Sequence, residues 1–281
     1  MVIRSEPARV KLRTTVQTLG GYTYAIPEVT PSKRSAFAMI APVVALVFFP
    51  ITILAFLIST GLMVLGPKSL KQTILAQIIP STMKAAEKVT ENQRKLLLQH
   101  ASGRVLDVGC GGGAYLSLLK NKASHVVALE PNGKMHPLIR QQAKEASFKD
   151  YQVTILTDTV EEYAAANPNA PHFDWVIFGN VLCEVENVPS TLTSVHKLLK
   201  PGGHVYFSEH VAAPRDTKTR QLQDCCNPVW NRISGGCNCN RDSVHDMEGM
   251  AEWEVVSWEM SHIKVGLGPF IMGLAQKVQG V

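Results

Sequence analysis

The sequence predicts an α/β fold, a doubly wound and mostly parallel seven-stranded sheet, joined to an N-terminal hydrophobic membrane segment. Three observations carry that expectation. Short β-branched apolar runs alternate with helix-like stretches from about residue 105 to 208. The first of these runs, Val105-Leu106-Asp107-Val108, ends beside an acid and passes at once into the glycine-dense turn Gly109-Cys110-Gly111-Gly112-Gly113. From Ser35 through Pro67 there is no Asp, Glu, Lys, Arg or His.

The apolar run would be about 50 Å long as one straight helix, whereas a bilayer core needs only about 20 residues. Pro42 and Pro50 interrupt it, and Lys33, Arg34, Lys68 and Lys71 flank it. Two arrangements fit: a single tilted span, or a hairpin bent near Pro50 that enters and leaves the cytosolic leaflet. The positive-inside preference puts both basic flanks on the cytosolic side. Residues 1–34 then form a mobile tail, 35–67 the membrane segment, 68–80 a linker and 81–281 the soluble domain. About 35 residues precede the apolar run, which argues against a cleaved signal peptide.

Composition excludes several classes. The 281 residues carry a net charge of +5, spread over the chain rather than clustered with aromatics, so no nucleic-acid partner is expected. Six cysteines in this length do not make a secreted disulfide scaffold, and the thiols are read as mostly reduced in a cytosol-facing domain.

Taken in order, a helix is expected over 81–100, with Ser81 or Thr82 as its cap. The first strand covers Val105–Val108, and a helix over 114–122 offers its first-turn N–H groups to a ligand. A second strand, 125–129, ends in Glu130-Pro131-Asn132, and a helix follows over 134–146. A third strand, 151–156, leads to Asp158-Thr159-Val160-Glu161-Glu162. A fourth, 173–178, leads to Gly179-Asn180-Val181-Leu182-Cys183. A helix over 192–199 closes at Lys200-Pro201-Gly202-Gly203, and strand five spans 204–208. Two closing strands, 254–260 and 270–277, complete the sheet.

Such a sheet can bind NAD(P), a flavin or S-adenosylmethionine. Gly109-x-Gly111-x-x-Ala114 formally meets the dinucleotide pattern, but three details favour S-adenosylmethionine. Asp107 sits where a carboxylate receives an ammonium group and repels a pyrophosphate. Glu130, 21 residues after Gly109, can accept both ribose hydroxyls. The Lys200-Pro201-Gly202-Gly203 turn is one that dehydrogenases of this type lack.

From about Leu96 to Phe207 the chain resembles the Rossmann-like class I S-adenosylmethionine-dependent methyltransferases. The resemblance implies that Gly109, Cys110 and Gly111 pass the methionyl part, that Glu130 and Pro131 hold the ribose, and that Asp158, Thr159 and Val160 flank the adenine. Asn180 and Val181 would lie beside the methionyl carboxylate and the methyl group. Further on, Glu209-His210-Val211-Ala212-x-Pro214 is similar to an element of the membrane-anchored thiol S-methyltransferases of animals (methyltransferase-like 7 family). So are Val181-Leu182-Cys183, Pro228-x-Trp230, Gly236-Cys237 with Arg241, and Gly268-Pro269-x-Ile271-Met272-Gly273. That family usually has paired cysteines after the glycine; this chain has Cys237-Asn238-Cys239. The resemblance implies a membrane-anchored enzyme of endoplasmic reticulum or lipid droplets, with a small lipophilic thiol as acceptor.

A thiol has an ordinary pKa near 8.5, so a modest base suffices. His210 is the candidate base, with Glu209 orienting it or meeting the cofactor. Cys225-Cys226 and Cys237-x-Cys239 do not match the spacing of structural zinc sites, so no metal is expected; lining of the acceptor pocket is the plainer role, and a redox or substrate-contact role the alternative. Trp230, Trp253 and Trp258 read as core or membrane-interface residues. The alternatives are methylation of a quinone, sterol or other lipid, a non-catalytic cofactor-binding scaffold on lipid droplets, and an NAD(P) oxidoreductase.

Overall fold

The computed structural model describes residues 18–19, 22–23, 61, 65–169, 173–248, 253–261 and 268–278. Nearly all of the expected tail and of the expected membrane segment lie outside these residues; within the tail, Thr18–Leu19 pairs antiparallel with Tyr22–Thr23. Among the described residues no helix is long and apolar enough to cross a membrane.

Seven strands form one sheet: β1 Gly103–Val108, β2 Ala123–Leu129, β3 Val153–Leu156, β4 Phe173–Gly179, β5 Leu199–His210, β6 Trp253–Ser261 and β7 Phe270–Lys277. Their order is β3-β2-β1-β4-β5-β7-β6. The first five are parallel, and β7 pairs antiparallel with both β5 and β6. Strands buried on both faces must be apolar on both, which is why β1 and β4 read as near-continuous hydrophobic runs. Alternate residues feed two cores. Leu106, Val108, Phe178 and Phe207 pack on one face. Val105, Ile177, Trp175 and Tyr206 pack on the other.

The flanking helices are α1 Lys68–Val89, α2 Glu91–Leu97, α3 Leu116–Leu119, α4 His136–Glu145, α5 Val160–Ala166, α6 Val188–Leu198, α7 Lys218–Ile233 and α8 Ser243–Glu248. Several differ from expectation. The segment expected as a linker is helical, and Ser81 and Thr82 lie inside α1 rather than capping it. Pro80 sits within that helix, and the break falls instead at Thr90, whose ψ of 6° leaves the helical region. The helix expected after the glycine turn shrinks to the four residues of α3, because Gly111 and Gly113 both hold positive φ. α6 begins four residues earlier than expected, at an Asn187 side chain that accepts from Ser190 N. Strand five also starts early. Leu199 pairs with Phe173 and His204 with Trp175, so Pro201-Gly202-Gly203 bulges out within the strand rather than closing the helix ahead of it. Neither α7 nor α8 is foreshadowed by the sequence pattern.

Strand order reverses between β1 and β4, so the loops leaving them diverge and open a crevice at their carboxyl ends. One further element, α1, borders that crevice. Gln72 O on α1 accepts from Asn132 Nδ2 at 3.0 Å. Leu75, also on α1, fills the space that a side chain at Gly235 would need.

Candidate functional site

The crevice is built from the glycine turn upward. Gly109 has a φ of +60°, and a Cβ there would stand 2.3 Å from Val181 Cγ2. Only glycine leaves room for the Val181 side chain against the start of this turn, at the base of the crevice. Cys110 N donates to Leu129 O at 3.0 Å, which ties the turn to β2. Glu130 then reaches back. Its two carboxylate oxygens accept from Gly111 N and Asn132 N, each at 2.8 Å. Its backbone oxygen meets His136 Nε2 at 2.9 Å. Each oxygen keeps a lone pair for a ribose hydroxyl. Of the N–H groups after Gly109, that of Gly111 goes to Glu130, that of Gly113 to Cys110 O and that of Leu116 to Gly113 O, and the helix itself begins only at Leu116.

Asp107 is 1% exposed, and neither carboxylate oxygen has a partner within the protein. Burial, and then the charge of nearby Glu130, push its pKa up to about 8. Burial likewise raises Glu130. Two crowded carboxylates, one of them orphaned, form a seat for a cation and repel a pyrophosphate. S-adenosylmethionine brings an ammonium and a sulfonium, and these residues fit it. Thr159 caps α5 through a reciprocal bond with Glu162, with Asp158 just before it at the end of the β3 loop.

On the other side of the switch point, Asn180 adopts a φ of +57° and donates its N–H to Ser208 O at 2.8 Å. Glu209 is wholly buried. Its Oε1 accepts from Val181 N at 2.9 Å and Leu182 N at 3.2 Å, while Oε2 has no partner. Burial raises its pKa to about 7, against the lowering effect of those N–H groups. Glu209 therefore anchors the loop after β4; no hydrogen bond joins it to His210.

His210 ends β5, opposite Phe270, and its Nε2 stands 3.0 Å from Cys237 Sγ. Cys183 completes the group, with the three ligating atoms all within 4.8 Å of one another. Trp230 Nε1 donates to Cys237 Sγ at 3.1 Å. A hydrogen bond from Cys183, opposed by burial and aided by His210, holds the Cys237 thiol well below the ordinary range. Burial draws His210 down, but Cys237 outweighs it and the net shift is upward.

Long-range bonds bring this group together. Asn238 N donates to Cys183 O at 2.9 Å, and Ala212 N to Arg241 O at 2.8 Å. Arg241 Nη1 donates to Leu182 O at 2.8 Å and also to Val185 O. Gln223 on α7 is fully buried. Its Oε1 accepts from Ala213 N at 2.8 Å, and its Nε2 donates to Val211 O at 3.1 Å and Cys239 O at 2.6 Å.

The four late cysteines therefore do not act as one set. Cys225 and Cys226 lie on α7, Cys225 exposed, and Cys239 points its sulfur at Gln223 O and Asn227 Oδ1. The partner of Cys237 is Cys183, 54 residues away, where no spacing rule could have found it. Trp253 is core, and Trp230, 36% exposed, borders the cluster. Val181, two residues before Cys183, packs where a Cβ at Gly109 would stand, so cluster and cofactor crevice are neighbours.

A family model described as "Methyltransferase domain" matches residues 83–253. The human thiol S-methyltransferase TMT1B is 29% identical over 206 residues, covering 70% of this chain and 82% of that protein. A ubiquinone biosynthesis O-methyltransferase of Vibrio cholerae is 37% identical over 116 residues, 40% of this chain and 45% of that one. Among solved structures, the cyclase SpnF superposes with a TM-score of 0.54 at 15% identity, covering 69% of this chain and 82% of its own. That likeness speaks to the fold alone.

Proposed function

The chain belongs to the methyltransferase-domain family and is a class I S-adenosylmethionine-dependent methyltransferase, and from that premise we propose that its acceptor is a small lipophilic thiol taken from a membrane surface. The observation that carries this reading is the Cys183–His210–Cys237 group at the carboxyl ends of β4 and β5, beside the seat of the methyl donor. The similarity to thiol S-methyltransferases supports it independently.

Bound S-adenosylmethionine supplies an electrophilic methyl group. Asp107 receives the ammonium group, Glu130 the ribose hydroxyls, and the Asn180–Val181 backbone borders the methionyl end. Methyl transfer is an in-line displacement that depends chiefly on placement. Glu209 serves as a positioning residue by holding Val181 and Leu182. His210 Nε2 is committed to Cys237, so it does not stand free as an imidazole base for the acceptor. The uncharged run 35–67 supports a membrane anchor with the domain on the cytosolic side, and α1 leads from it to the crevice. Exposed Ile78, Leu222, Val229 and Trp230 suit a lipophilic acceptor.

Purified full-length protein incubated with labelled S-adenosylmethionine and a panel of thiols, quinols and sterols tests the reading. Methylated thiols are expected. Product on quinols alone would transfer the assignment to the second reading, ring O-methylation, which the similarity to the ubiquinone enzyme supports. Protease protection of a tag at Val2 in sealed microsomes tests the hairpin, which predicts a cleavable tag.

A further inference from the structure

Cys183, His210 and Cys237 come from three separate parts of the chain: the loop after β4, the end of β5 and the turn after α7. Each is held by bonds that do not involve its ligating atom. Cys183 O accepts from Asn238 N and Nδ2, His210 lies in the β5–β7 ladder, and the backbone before Cys237 is fixed by Asn231 Nδ2 donating to Gly236 O. The three ligating atoms nevertheless converge within 4.8 Å, and both sulfurs are buried.

We propose that Cys183, His210 and Cys237 bind one zinc ion in a Cys2His site whose open fourth position takes the sulfur of the methyl acceptor. Two thiolates and an imidazole are the donor set that zinc favours over harder cations. Tetrahedral zinc with Zn–S of about 2.3 Å and Zn–N of about 2.0 Å needs ligand atoms roughly 3.5–3.8 Å apart. The 3.0 Å contact between His210 Nε2 and Cys237 Sγ has only to open by about half an ångström to reach this range. Three protein ligands with a vacant fourth position are the pattern of catalytic rather than structural zinc. The Trp230 N–H bond to Cys237 Sγ is the kind of outer contact that orients a thiolate ligand.

The metal site stands by itself; its use in activating a thiol rests on the proposed function. Zinc displaces the Cys183 thiol proton and the proton shared by His210 and Cys237, and both pass to solvent. An entering thiol displaces the water at the fourth position, loses its proton to solvent and coordinates as thiolate. A sulfur lone pair then forms the new bond to the methyl carbon as the carbon–sulfonium bond breaks. The products are a neutral thioether, a weak ligand that leaves, and S-adenosylhomocysteine.

Elemental analysis of the full-length protein purified in detergent without chelator is the first test. About one zinc per chain is expected in wild type and in Cys239→Ala, and loss of the metal in Cys183→Ala, His210→Ala and Cys237→Ala. Calorimetric binding of S-adenosylmethionine reports whether each variant is folded. Cobalt(II) exchanged into wild type should give a tetrahedral visible spectrum that shifts when hexanethiol is added. Wild type that binds the cofactor but holds no zinc overturns the site, even if it methylates thiols. So does zinc retained in both folded cysteine variants. Stoichiometric zinc with a cobalt spectrum indifferent to hexanethiol, together with product on quinols alone, keeps the site and overturns its role in thiol activation.

Discussion

Replacing Asp107 by Asn tests the donor site through two readouts that must move in opposite directions. In the cofactor-free protein the Asp107 carboxyl has a pKa of about 8 against an ordinary 3.8, because it is buried, unpartnered and close to Glu130. A folded-state pKa above the unfolded one means that the native chain holds a proton the unfolded chain has released. Its contribution is fully present below pH 3.8 and is lost as pH rises through 8. At about 1.4 kcal/mol per pH unit, the loss by pH 7 is roughly 4 kcal/mol. An Asn avoids this, but its own buried amide costs about 1–3 kcal/mol if unsatisfied. Asp107→Asn should therefore stabilise the cofactor-free protein by about 1–3 kcal/mol at pH 7. That advantage should vanish near pH 5. The same change removes the counter-charge of the ammonium group and should weaken S-adenosylmethionine by about 10- to 100-fold. Wild-type affinity should itself rise with pH toward 8, since binding needs the carboxylate, and fall above it as the amine deprotonates. Urea denaturation at pH 5 and 7, with calorimetry across pH 6 to 9, reads all of this. A variant that is less stable at pH 7 yet binds the cofactor normally would refute the reasoning.

Three other outcomes follow from the same geometry. Glu130→Ala removes the ribose acceptor and strands the N–H groups of Gly111 and Asn132, so calorimetry should find cofactor affinity down by 100-fold or more. Gly109→Ala drives a methyl into Val181 and should cost about 2–4 kcal/mol; adding Val181→Ala should recover the clash but not the roughly 1 kcal/mol of backbone strain. Gln223→Ala breaks three buried bonds between α7 and the chain on either side of the cysteine turn. It should lower stability by about 2–4 kcal/mol and slow thiol methylation while leaving cofactor affinity within twofold, because the donor loops do not depend on it. Equal losses in both activities would show that the acceptor half is not separately supported.

Much of the donor half was legible because its chemistry is local. Alternating strands and helices announce a parallel sheet, positive-φ glycines follow one another in the turn after β1, and Asp107 and Glu130 sit at the carboxyl ends of adjacent strands. β7 was anticipated residue for residue. Where local reading failed, a tertiary demand had overridden it: α3 yields to the turn that lets Glu130 reach Gly111, and the Pro-Gly-Gly turn becomes a bulge inside β5. Glu209 read as a partner for His210, yet its side chain serves the loop after the neighbouring strand.

By itself, then, the sequence determined that this protein carries a methyl-donor sheet, since a donor loop is written in consecutive residues whose backbone preferences and charges can be read in order. The acceptor side is of another kind. Cys183, His210 and Cys237 are far apart in the chain and share no spacing. Only the pairing of β4, β5 and β7, with the Asn238, Arg241 and Gln223 bonds that fold the cysteine turn back onto them, decides that they meet.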